Sequence, residues 1–297
     1  MALVEYWITY KNDSGEDVNG TKAPLYEYKD GDEIKNIFTD AEHLVVDADT
    51  YNRAYVKVSL HVVDRAGNEN TVEKELKINS TKPTVSLDIS GTKFDNAKDG
   101  YYNDKRELTI TIVDRKDTFS KGNVATGLTI KKNGEILAVN TDDIIWTDSD
   151  NLHIGKYVFE SDGHYEWSIS YTNIAGLSNE GITAPADKFI YDFYVDKAEP
   201  YNLKVTYEPK FTDVVLETIT FGFYKAPVRA IIEAVDDTTE IAQFEYKYTG
   251  ADRVAVSDAD IKRDGSRAYA EFIIPAEFRG QVWSLLLFRP PWWIALN

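Results

Sequence analysis

The constraint that narrows this chain most is a two-residue rhythm repeated in short runs. Leu108, Ile110 and Ile112 alternate with Thr109, Thr111 and Val113, and Tyr165, Trp167, Ile169 and Tyr171 alternate with Glu166, Ser168 and Ser170. Successive side chains of a strand point to opposite faces, so each run has one apolar and one wet face; helical winding would scatter both around the axis. Turn dipeptides separate the runs. Asn133-Gly134 lies between 128–132 and 135–139, and Asp162-Gly163 lies between 156–160 and 164–172. The first pair tolerates the positive φ values of a two-residue hairpin turn. The abundance of Tyr (19), Phe (13) and Trp (6) suits a pleated, half-buried surface. The expected fold class is all-β.

With 84–89 in front and 189–195 behind, the segment 81–196 holds seven such runs. That number, at roughly 10-residue spacing, describes an immunoglobulin-like antiparallel sandwich better than a barrel. The flanking pieces, 1–80 and 197–282, read as portions of the same domain type. The front piece has Val4, Tyr6, Ile8 and Tyr10 in one run and an alternating run at 54–63. The back piece has runs at 201–207, 218–224, 228–235, 243–248 and 267–274, with Asp264-Gly265 before the last. The front copy lacks opening strands and the back copy lacks an ending, so the expectation is tandem sandwiches with the first and last incomplete. Pro83 and Pro200 stand in the junctions and hold the preceding residue extended, which argues for limited bending.

Charge removes several functions. Fifty Asp plus Glu against 33 Lys plus Arg give a net charge of -17, which repels phosphate backbones and anionic headgroups. Neither nucleic acid nor a membrane is an expected partner, and no apolar run is long enough to insert in a bilayer. With no Cys there is no disulfide, thiolate zinc site or Cys nucleophile, and 4 His leave little for imidazole ligation. Gly-x-Ser-x-Gly, phosphate-loop and His-Glu-x-x-His patterns are absent from the sequence. The acid pairs Asp47 with Asp49, Asp142 with Asp143 and Asp236 with Asp237 read as solvated loop charges, where a glycosidase needs one carboxyl buried in a cleft. The chain is not expected to be an enzyme or to carry a resident cofactor.

A few residues remain as candidates. Asp64, Gly67 and Asn68 read as a structural turn, with side-chain oxygens accepting backbone N–H groups and glycine supplying positive φ. Asp148 and Asp150 have the alternating oxygens of a Ca²⁺ loop, although the position for a turning glycine is His153 and that for a bidentate acid falls in an apolar run. Trp146, Tyr101 and Tyr102 are candidate platforms for a sugar ring, with Tyr191 and Tyr194 beside them. Trp167 is assigned to the core, and His61 and His164 to structural or exposed positions.

The motifs also carry a resemblance. Val63-Asp64-Arg65-Ala66-Gly67-Asn68 is followed by an exiting run and Thr81-Lys82-Pro83-Thr84-Val85. The middle piece has Gly100-Tyr101-Tyr102-Asn103 with Arg106, Asp162-Gly163-His164-Tyr165, Tyr171-Thr172-Asn173-Ile174-Ala175-Gly176 and Val195-Asp196-Lys197. In order and spacing, over 1–282, this resembles the tandem Ig-like repeats of Gram-positive cell-surface proteins. The resemblance implies an extracellular, wall-associated stalk, spacer or adhesin, with neighbouring repeats and a host protein or glycan as partners. It supplies no active-site residues. A Lys–Asn isopeptide cross-link is a known substitute for disulfides in such stalks, but no particular lysine is indicated. The alternative is an accessory carbohydrate-binding module of an extracellular glycan-degrading enzyme. Segment 283–297 departs from the pattern: Pro290-Pro291 and the clustered Trp292-Trp293 break all alternation, and it is expected to be a non-native tail.

Overall fold

The computed structural model describes residues 2–12, 14–27, 35–36, 46–48, 50–53, 55–93, 97–209, 227–247 and 252–274. The run expected at 218–224, the segment 283–297 and Asp49 lie outside them. The described residues are dominated by strands, as the alternation requires.

The front unit is one sheet. Its strands are β1 (Leu3–Lys11), β2 (Asp17–Asn19), β3 (Ala23–Glu27), β4 (Lys35–Asn36), β5 (Val56–Val63) and β6 (Glu69–Leu76). They lie in the order β4-β3-β1-β5-β6, with β2 also paired to β1. β1 runs antiparallel to β5 from Leu3 opposite Val63 to Tyr10 opposite Val56. Val4, Ile8 and Val56 are buried on it.

The middle unit has two sheets. In chain order its elements are β7 (Thr84–Gly91), β8 (Tyr101–Tyr102), β9 (Arg106–Val113), the short helix α1 (Lys121–Gly127), β10 (Leu128–Lys132), β11 (Glu135–Leu137), β12 (Ile145–Asp148), β13 (Leu152–Phe159), β14 (Gly163–Ile169), β15 (Ile182–Thr183) and β16 (Asp192–Val195). One sheet reads β12-β13-β9-β7-β15 and the other β11-β10-β14-β16-β8. Leu108, Ile110 and Ile112 of the first meet Ile130, Tyr165, Trp167 and Phe193 of the second in a single core. Those three aliphatic side chains are fully buried, each contributing about 2 kcal/mol by leaving water. Asn133 and Gly134 both take positive φ, 52° and 84°, between β10 and β11.

This differs from seven runs. β8, β12 and β15 are additional strands, and 189–195 contracts to the four residues of β16. β8 and β15 have two residues each and pair in parallel, with β16 and β7. Neither can show alternation or an adjoining hairpin turn. The helix α1 is likewise additional; Ser120 caps it by accepting from the Asn123 amide at 3.2 Å.

The back unit contains β17 (Tyr201–Pro209), β18 (Val228–Val235), β19 (Glu245–Lys247), β20 (Arg253–Ala255), β21 (Ile261–Asp264) and β22 (Arg267–Ile274). Its larger sheet reads β17-β18-β22-β21, and β19 pairs with β20. Among the described residues this repeats part of the middle unit. The order β7-β9-β13-β12 becomes β17-β18-β22-β21, and the hairpin β10–β11 becomes β19–β20. The front sheet repeats the other half, since β3-β1-β5-β6 follows the order of β11-β10-β14-β16.

A turn confirms that alignment at atomic detail. After β5, the Asp64 amide bonds the Asn68 carbonyl at 2.9 Å, the Asn68 amide returns to Asp64 Oδ1 at 2.8 Å, and Gly67 has φ 86°. After β14, the Asn173 amide bonds the Leu177 carbonyl at 3.0 Å, the Leu177 amide returns to Asn173 Oδ1 at 3.0 Å, and Gly176 has φ 81°. Asp64, Gly67 and Asn68 thus form a tight strand connection, built twice.

Candidate functional site at the unit junctions

Each junction has three hydrogen bonds at matching positions, the third running in opposite directions at the two. At the first, the Ser80 amide donates to Asn52 Oδ1 at 3.3 Å, the Thr81 amide to Asn79 Oδ1 at 3.0 Å, and Asn79 Nδ2 to Thr118 Oγ1 at 2.9 Å. At the second, the Lys197 amide donates to Asp162 Oδ1 at 3.1 Å, the Ala198 amide to Asp196 Oδ1 at 3.2 Å, and Thr239 Oγ1 to Asp196 Oδ2 at 2.6 Å. The geometry follows from local chemistry. A short side chain with an oxygen can bond the amide two residues on, a turn that Pro83 or Pro200 then straightens into the next strand. Thr118 and Thr239 lie in the loops following β9 and β18, the corresponding strands of successive units.

The first junction has an additional tie. Arg115 grips Asp117 through Nε at 2.9 Å and Nη2 at 3.0 Å, and its Nη1 reaches the Ile78 carbonyl at 2.7 Å and Asn52 Oδ1 at 3.1 Å. The planar fork serves both units at once. Beneath it, Asp114 is buried and accepts from Thr118 Oγ1 at 2.9 Å, Asn173 Nδ2 at 3.2 Å and the Tyr171 hydroxyl at 3.0 Å. Burial pushes the Tyr171 hydroxyl well above its ordinary pKa. At the second junction the Tyr201 hydroxyl donates to Asp237 at 2.9 Å, a bond within the back unit.

The second junction also encloses a cleft of about 500 Å³ between the middle and back units, lined by Lys98, Tyr101, Asn103, Asp196, Gln243 and Arg263 among others. Tyr101 stacks on Tyr194 at 4.6 Å with planes 5° apart, and Tyr194 on His164 at 4.3 Å and 16°. These three occupy adjacent registers on β8, β16 and β14. Burial raises the Tyr101 hydroxyl, with the charges of Glu240 and Asp192 adding to it. Burial likewise raises the Asp196 carboxyl, reinforced by Asp236 and Asp162 and opposed by the bond from Thr239.

The residues singled out from sequence are not all brought together. Trp146 is half-buried against the core, edge-on to Phe119 at 5.2 Å, and its Nε1 is enclosed without a partner among the described residues. It thus contributes to the core as well as to the surface. Tyr102 is 8% exposed, and the Arg106 guanidinium lies 3.7 Å from its ring centroid, so that face is already taken. Tyr101 and Tyr102 both line the cleft, and of the two it is Tyr101 whose ring is stacked face to face on another. Asp148 bonds Lys121 at 2.6 Å and His153 at 3.1 Å. Burial works against ionisation there, but those two partners outweigh it and hold the carboxyl below its ordinary value. Asp150 is exposed, and its carbonyl takes the Lys116 amide at 2.8 Å. Among the described residues no three His, Cys, Asp or Glu side chains converge as metal ligands. No helix among them is long and apolar enough to cross a membrane.

Asn79, Asp196, Thr118 and Thr239 escaped assignment as site residues from sequence, although an Asx residue at the same distance before each junction proline was a readable signal. Arg106 did too, because burying a cation needs the contacts of Tyr102, Phe193 and the Phe189 carbonyl, which come from distant segments. No family model, curated protein or solved structure matches the chain.

Proposed function

We propose that this chain is a non-catalytic spacer made of tandem Ig-like sandwiches, part of an extracellular, wall-associated bacterial surface protein that holds a partner-binding or catalytic module away from the cell. The observation that carries this reading is the repeated junction: three hydrogen bonds, at equivalent positions, at two successive boundaries. A boundary reproduced in this way gives successive units the same relative setting, which a spacer needs and a lone binding domain does not. The strand orders support the Ig-like assignment, since one sheet of the middle unit ends in β8 paired parallel to β16 and the other is the four antiparallel strands with β15 added. The net charge of -17 keeps neighbouring rods apart.

Small-angle scattering of the chain and of a Thr118→Val, Thr239→Val double variant tests the stiffness. The native chain is expected to give one narrow distance distribution and the variant a broader, shorter one; identical profiles would remove the junctions as the source of stiffness. Antibody labelling of intact source cells tests the location, with labelling expected before permeabilisation. The rival reading is an accessory carbohydrate-binding module; Trp146, one of its candidate platforms, packs edge-on to Phe119 at 5.2 Å, while Tyr101 keeps its place beside the cleft.

A further inference from the structure

We propose that the cleft at the second junction binds a neutral saccharide against the face of Tyr101. This goes beyond the spacer reading and does not depend on it. The volume, about 500 Å³, lies within the range of small-molecule sites. One wall is a planar ring held from behind: Tyr194 backs Tyr101 at 4.6 Å, and His164 backs Tyr194 at 4.3 Å and is fixed by Asp192 at 2.6 Å. A ring so supported offers a flat apolar surface with little freedom left to lose on binding.

Charge narrows the ligand. Six acids (Asp196, Glu199, Asp236, Glu240, Glu245, Asp258) against three bases (Lys98, Lys197, Arg263) line the cleft, so phosphates and acidic sugars are repelled. Several of these charges already have partners within the chain. Lys98 Nζ already stands 5.7 Å from the Tyr101 centroid, Arg263 is paired with Asp258 at 2.7 Å and Glu240 at 3.6 Å, and Asp196 holds Thr239. What the cleft offers is a flat ring, with Asn103 and Gln243 among the residues around it, Gln243 Nε2 donating to Glu245 at 3.0 Å. A pyranose matches it, with C–H groups on its face and hydroxyls around its edge. Both units supply the walls, Tyr101 and Asn103 from the middle and Gln243 from the back, so the site exists only when the junction is formed.

Calorimetric titration of the full chain with cellotetraose, tetra-N-acetylchitotetraose, mannotetraose and tetragalacturonate tests this. At least one neutral tetramer is expected to bind with Kd near or below about 1 mM, and the acidic tetramer not at all. Tyr101→Ala should weaken binding about tenfold or more, and Tyr101→Phe should keep it, since the ring face remains. Gln243→Ala, an exposed change on the other wall, should also weaken it, which keeps the test valid if Tyr101→Ala does not fold. Failure of all three neutral tetramers to bind, or binding undiminished by either alanine variant, overturns the proposal.

Discussion

Asn79 and Asp196 make the same turn, accepting the amide two residues on at 3.0 Å and 3.2 Å, but only one of them carries a charge. Asn79 donates to Thr118, which leaves the threonine proton for Asp114. Asp196 takes its threonine's proton instead, and does so as a partly buried carboxylate facing Asp236 and Asp162.

That difference sets a pH dependence. Burial first, then the facing acids, raise the Asp196 carboxyl above its ordinary value. A raised carboxyl favours the protonated folded state, so its stabilising contribution is full below the ordinary carboxylate range and is lost as pH rises through the folded value. Asp196→Asn supplies the amide already used at the first junction and removes the charge. It is expected to raise Tm at neutral pH by about 2 °C, with the advantage shrinking on acidification. Scanning calorimetry from about pH 4 to about pH 8 reads it; a constant difference would exonerate the charge.

Arg106 is 2% exposed, over Tyr102 at 3.7 Å and Phe193 at 4.5 Å, with Nη1 on the Phe189 carbonyl at 2.9 Å. Gly91 leaves it room, because a Cβ there would stand 2.8 Å from Arg106 Cγ. Arg106→Ala is expected to cost about 3 kcal/mol in urea unfolding. Arg106→Lys should also destabilise, because an ammonium cannot cover two rings and bond the carbonyl as a planar fork does.

The duplicated turn offers a controlled comparison. Asn173 is 2% exposed and also donates to buried Asp114 at 3.2 Å, so Asn173→Ala removes a donor from an enclosed carboxylate and should cost about 2 kcal/mol. Asp64→Ala breaks the corresponding turn where water can replace it, and its unfolding midpoint should move less. Equal losses would mean that the turn matters and the buried network does not.

Gly127 sits where α1 meets β10, and a Cβ there would lie 1.9 Å from the Ser170 carbonyl oxygen. The Ser170 amide bonds the Gly127 carbonyl at 3.0 Å, so neither backbone can retreat. Gly127→Ala is expected to cost about 3 kcal/mol. Gly122→Ala, within the same helix and meeting nothing closer than Ser120 Oγ at 3.8 Å, should instead stabilise by about 0.5 kcal/mol. Paired thermal melts distinguish them.

What was legible in the chain was whatever a local rule governs. β9 and β14 follow from alternation, and the hairpin at Asn133-Gly134 from the φ values those residues tolerate. The assignments of Trp146 and Tyr102 needed partners far away in sequence: Phe119 covers one and Arg106 the other, and no periodicity announces either. Parallel β8 escaped for the same reason, since its pairing partner β16 lies across most of the middle unit. Tyr194 and His164 were recognised singly, but their alignment behind Tyr101 depends on the register of three strands.

Thr118 belongs to two networks at once, and that sets the first boundary apart from the second. Tension arriving from the front unit passes from Asn79 through Thr118 to Asp114, and there divides into Tyr171 and Asn173, which follow a strand of the opposite sheet. A pull at this boundary is expected to shear two sheets together. At the next boundary Thr239 ends on Asp196, while Asp236 holds the backbone amides of Thr238 and Thr239 in its own loop. The two links in series are unequal, and single-molecule pulling is expected to open the second before the first.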